Sequence, residues 1–162
     1  MILTHPAFAA RRAFTFLEVM IVVVILGVLA AIVIPQFGTA TQDARASALK
    51  ANLGGVRAAI AGYRANAVLA GSPPYPTLTE LTTPNTVVQG DFPQNPYNGL
   101  ATVQTVSFAQ ASSRAVVNAT TFGWNYYVDN AATPPICIFY SNSDKNTTVP
   151  GNSGGTRKAS EL

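Results

Sequence analysis

Residues 14–34 form an apolar run of 21 residues broken by a single acid, Glu18. Two cations, Arg11 and Arg12, precede it, and no charged residue occurs from position 19 to position 42. At 1.5 Å rise per residue the run predicts a helix of roughly 32 Å, about one bilayer core. The two arginines hold its N-terminus on the cytoplasmic side and send the C-terminus outward. Glu18 is the anomaly. A carboxylate within such a helix costs about 2.5–3.5 kcal/mol on insertion scales, so a partner is expected. The competing physical reading is local: an anion near a helix N-terminus meets a favourable dipole, and its side chain can reach toward the interface.

These residues stand in a recognisable register. Arg11 and Arg12 lead into Ala13, Phe14 and Thr15; Glu18 lies four residues after Phe14; Pro35 closes the run. The arrangement resembles the N-terminus of type IV pilins and of type II secretion pseudopilins, closest in pattern to the major pseudopilin. The likeness is strong over residues 11–35, fair to about Tyr63 and weak after Gly71. It implies cleavage by a prepilin peptidase between Ala13 and Phe14, with Ala13 standing where the family usually has Gly. It also implies N-methylation of Phe14 and assembly through Phe14, Glu18 and Pro35. The implied partners are further copies of the chain, minor pilin-like subunits, the prepilin peptidase/methyltransferase, an inner-membrane assembly platform and the lipid bilayer.

The charge balance fits that expectation. The formal charge of +3 falls to about +1 if the leader arginines are removed. The remaining cations are sparse and do not interleave with aromatics, so no nucleic-acid partner is expected. Charged residues make up 10% of the chain, low for a soluble monomer and suited to one that packs against copies of itself. The one cysteine, Cys137, admits no internal disulfide and reads as a small buried hydrophobe in a strand.

Beyond Pro35 and Gly38 a helical pattern resumes. Leu49, Leu53, Val56, Ile60 and Tyr63 recur at spacings of four, three, four and three, amid many alanines. One helix is expected from about Phe14 to Ala67, roughly 80 Å long and kinked at Pro35, whose ring crowds the carbonyl of Ala31. Lys50, Arg57 and Arg64 lie seven apart and read as a solvated face, or as a contact for acids of a neighbouring subunit. After Gly71 a single helical turn is expected, capped by Thr77 or Thr79. Residues 91–99 form a turn-rich loop similar to the Pro-rich, aromatic-bearing loop of the major pseudopilin. Strands are expected over 101–108, 123–129 and 136–140, the last two as a hairpin across 131–135. Residues 141–162 read as a loop and a frayed tail.

The expected fold is therefore α+β: a long, kinked N-terminal helix packed on a small antiparallel β-sheet head. The organisation runs as leader 1–13, transmembrane and assembly helix 14–35, head-packing helix 36–70, loop region 71–100, sheet 101–140 and C-terminal loop 141–162.

Enzyme chemistry is not expected. The single histidine, His5, lies in the leader, which removes Ser-His-Asp, Cys-His and His-ligated metal sites from the mature chain. The remaining carboxylates are scattered without paired-acid or EF-hand spacing. No resident cofactor is expected, with one reservation. The major pseudopilins bind calcium in a C-terminal loop, and the resemblance places Asp144 in that region, beside Lys145.

The reading that follows is a structural filament subunit, stored in the inner membrane as a single-pass protein with its N-terminus cytoplasmic and its head periplasmic, or extracellular in the filament. A type II secretion pseudopilin supporting protein export is favoured. The alternatives are a type IV pilin for adhesion, motility or DNA uptake, and an uncleaved membrane-anchored periplasmic binding protein.

Overall fold

The computed structural model describes residues 14–151 and 154–162. Ala13, His5 and the rest of the expected leader lie outside the described residues. The chain is an α+β protein that divides into two units, Met1–Thr39 and Ala40–Leu162.

Helix α1, Phe16–Leu69, supplies the described part of the first unit and opens the second. In the first unit it is rich in Val and Ile. These stiff side chains are mediocre helix formers in water, but an apolar medium leaves a backbone no hydrogen-bond partners other than its own. Every large apolar side chain from Phe14 to Phe37 is exposed, between 42% and 80%. An 18-residue window reaches a mean hydropathy of 3.1, so α1 is long and apolar enough to cross a membrane. The helix runs through Pro35 without interruption, and four positions on the Thr39 hydroxyl donates to the Gln36 carbonyl at 2.9 Å.

In the second unit the expected stripe is the core face. Leu49, Leu53, Val56 and Ile60 are buried, with Tyr63 partly buried beside them. They pack with Leu81, Val103, Trp124, Tyr126 and Phe139. Trp124 and Phe139 stack at 5.3 Å, and Phe92 meets Phe139 edge-on at 5.9 Å. Helix α2, Leu78–Thr82, starts at a capping box: Glu80 N donates to the Thr77 hydroxyl, and the Glu80 carboxylate accepts from Thr77 N at 2.8 Å.

The main sheet holds β1 (Val103–Thr105), β2 (Trp124–Asp129) and β3 (Ile136–Ser141) in the order β1-β2-β3. The β2–β3 hairpin is antiparallel as expected, with Tyr126 opposite Phe139. The expectation of an antiparallel head needs one correction: β1 pairs parallel with β2, so the sheet is mixed. The reason is the strand expected over 101–108. Ser107 accepts from Gln110 N and Gln110 returns to Ser107 N, a second capping box, which ends the strand and starts helix α3, Phe108–Ser112. The segment carrying α3 is the crossover that a parallel pair requires.

The tail is also corrected. Strands β4 (Asn146–Pro150) and β5 (Thr156–Lys158) form an antiparallel pair, followed by a short 3-10 turn, Ala159–Glu161. Ala159 N donates to Lys145 O and Ser160 N to Ser143 O, and both residues are buried.

Candidate functional site

The N-terminal turn of α1 places Glu18 in a bonded setting. Thr15 is the residue before the helix. Its N–H and its hydroxyl both donate to Glu18 Oε2 at 2.9 Å, and Glu18 N donates back to the Thr15 hydroxyl at 3.2 Å. This is a capping box that satisfies helix-start donors reciprocally. Oε2 serves the cap, and among the described residues Oε1 takes no hydrogen bond. Sequence reasoning missed Thr15 in this role, although Thr-x-x-Glu ahead of an apolar run is its signature.

Phe14 is 80% exposed at the head of the helix, and Pro35 lies within α1 twenty-one positions on. Ala13 lies outside the described residues. The stretch therefore presents a carboxylate at the start of a long, exposed apolar helix.

Asp144 is exposed on the segment between β3 and β4. It lines a cavity of about 280 Å³ together with Glu161, Arg114 and Lys158. The Glu161 carboxylate is already engaged, accepting from Lys158 N at 3.0 Å. Two carboxylates set among two cations do not make the converging oxygen shell that calcium needs. Among the described residues no cluster of three or more His, Cys, Asp or Glu forms elsewhere. The residues present do not fit a calcium ion.

Cys137 is a half-buried strand residue whose thiol points at the Tyr126 hydroxyl, 3.6 Å away. Burial pushes the thiol up from its ordinary value, outweighing the hydrogen bond to Tyr126. The basic row is only partly a solvated face: Arg57 donates to Leu162 O and Phe139 O, and it borders a cavity with Arg64.

A polar network crosses the head above the sheet. Buried Asn142 donates to Val117 O and Phe122 O and accepts from Val117 N and Asn125 Nδ2. Asn95 donates to Gly123 O and to the Ser141 hydroxyl, while Asn98 donates to Ala119 O, Phe122 O and Asn142 O. The turn-rich loop 91–99 and the segment 113–122 are held to the sheet by side-chain amides.

Comparison with known proteins bears on the N-terminal stretch. Residues 9–34 match the prokaryotic N-terminal methylation motif. Over 54 residues the chain is 41% identical to the type II secretion system core protein G of Pseudomonas aeruginosa. That match covers 33% of this chain and 38% of the relative. No solved structure matches the chain.

Proposed function

We propose that this chain is a structural subunit of a type IV pilus-like filament, of the type II secretion pseudopilin class, and supports protein export mechanically. In this reading the chain is cut between Ala13 and Phe14 and methylated on the Phe14 amine. It waits in the inner membrane as a single-pass protein with its head outside. It then joins a filament with further copies and minor pilin-like subunits, through a prepilin peptidase and an inner-membrane assembly platform.

The observation that carries the reading is Glu18, with Oε2 closing the cap and Oε1 without a hydrogen bond among the described residues. After cleavage the Phe14 amine is a cation four residues away, and methylation keeps its charge. A neighbour's amine can donate to Oε1 without breaking the cap. Such a pair is strong in a low-dielectric setting, and either partner left alone there is costly. Apolar helix contacts supply the bulk attraction; the ion pair sets one axial register. The methylation motif over residues 9–34 and the likeness to core protein G support the same scheme.

Two substitutions separate the cap from the charge. Glu18→Gln keeps an amide oxygen that can serve a capping box, whereas Glu18→Ala removes both functions. Both variants are expected to be cut and methylated at wild-type levels and to be depleted from sheared filaments. Normal incorporation of Glu18→Gln would show that the negative charge is not needed and would defeat the pairing scheme.

A further inference from the structure

A cavity of about 380 Å³ opens on the head, within the size range of small-ligand sites. Three arginines line it: Arg57 and Arg64 from α1, and Arg114 from the segment after α3. No Asp or Glu side chain lines it. Like charges gathered together destabilise one another: burial first, and the Arg114 charge second, lower the Arg57 guanidinium's affinity for its proton.

The arginines are also held in place. Arg57 spends Nη1 on Leu162 O at 3.0 Å and Nη2 on Phe139 O at 3.1 Å. Arg64 lies over the Tyr75 ring at 5.1 Å, and Arg114 over the Tyr140 ring at 5.2 Å. Arg114 adopts φ +55°, a left-handed conformation disfavoured for a residue with a Cβ, and its Nη1 is buried without a hydrogen-bond partner among the described residues. Asp144 and Glu161 border a separate cavity that Arg114 also lines.

Ile60 and Phe139 have side chains buried in the core, and Phe139 offers the carbonyl that Arg57 holds. The accessible remainder of the lining is largely apolar: exposed Ala61 and half-buried Tyr75, Cys137, Ile138 and Leu162. This part of the wall selects among anions. Phosphate and sulfate are hydrated on every side and would leave it unused. A carboxylate carried on an apolar group would meet guanidinium forks at one end and Ala61 and Ile138 surface at the other.

We propose that this cavity is a binding site for a carboxylate borne on an apolar group, supplied either by a small molecule or by another copy of this chain. The inference concerns the head alone and stands whether or not the chain assembles into filaments.

The test uses the full chain in detergent micelles with benzoate as probe and phosphate and benzyl alcohol as controls. Saturable benzoate binding, followed by ligand-observed NMR and by a rise in Tm, is expected, with neither control matching it. Arg64→Leu and Arg114→Leu are each expected to weaken it by about tenfold, the loss of one charge-assisted hydrogen bond. Arg64 is exposed and, among the described residues, bonds no backbone group, so its variant should keep the wild-type melting profile without ligand. Absence of saturable benzoate binding, equal binding of phosphate, or equal binding by wild type and the Arg64 variant would each overturn the proposal. Sedimentation of the same samples assigns the source. Dissociation of oligomers by benzoate supports a carboxylate from a neighbouring copy; an unchanged size distribution alongside saturable binding supports a small molecule.

Discussion

Glu80 and Glu18 do the same local job at two helix starts, each closing a box with a threonine three residues earlier. For Glu80 the consequence can be read by titration. Hydrogen bonds from Thr77 N and the Thr77 hydroxyl hold its carboxyl below the usual value, and the Tyr63 hydroxyl adds a donor at 3.1 Å. A depressed folded value means the stabilisation is present above the unfolded pKa of about 4.3 and is lost as pH falls through the lower, folded value. Glu80→Gln is expected to flatten that acid limb in melts of the second unit recorded from pH 7 downward. An unchanged limb would remove Glu80 from the acid response. Asn142 is a second residue with a defined cost. Asn142→Ala strands the Val117 N–H and an Asn125 donor in a buried setting, so a loss of about 3 kcal/mol in denaturant unfolding is expected. A loss under about 0.5 kcal/mol, the level of an ordinary surface change, would contradict the network's role.

Among the elements, α1 was the most legible. Its apolar run and the four-three stripe from Leu49 to Tyr63 are strong periodic signals, and both correspond to faces of the observed helix. The β2–β3 hairpin was legible because aromatic and β-branched runs flank a turn rich in Asp, Asn and Pro. Strand β1 was read too long, since hydrophobic pattern alone outranked the Ser107–Gln110 box inside it. The C-terminal segment reads as loop because residues 141–162 are rich in Ser, Asn, Gly and Thr and show no periodicity. Ser141 and Asn142 are nevertheless buried, their side chains paired with partners distant in sequence. Such pairings leave no periodic trace. Arg114 was invisible for the same reason: its neighbours Arg57 and Tyr140 come from other elements. One glycine controls the junction into β2. A Cβ on Gly123 would collide with the Leu100 carbonyl, which is backbone and cannot swing away. Gly123→Ala is therefore expected to disturb the β1–β2 pairing and lower Tm by several degrees, about the effect of a loss of 1–2 kcal/mol in a domain of this size. A wild-type Tm would show that the loop carrying Leu100 yields freely.

For the whole molecule, the two units differ in what covers them. The second buries an aromatic and aliphatic core of its own, while the first leaves its described apolar surface open. Apolar surface of that extent requires lipid or other helices. In the proposed filament the subunit uses both in turn, lipid before assembly and neighbouring helices after it. In that proposal Glu18, with Oε2 in the cap, supplies the register that apolar contacts alone lack. This account depends on a free amine at Phe14, because the ion pair has no cation otherwise. The direct test is the N-terminal peptide of the mature protein, read by mass spectrometry in membrane and sheared-filament fractions. A chain starting at Phe14 and carrying one added methyl is the predicted result. A chain starting at Met1 would make the helix a plain anchor, and one starting beyond Ala31 would make it an export signal; either would contradict the filament account.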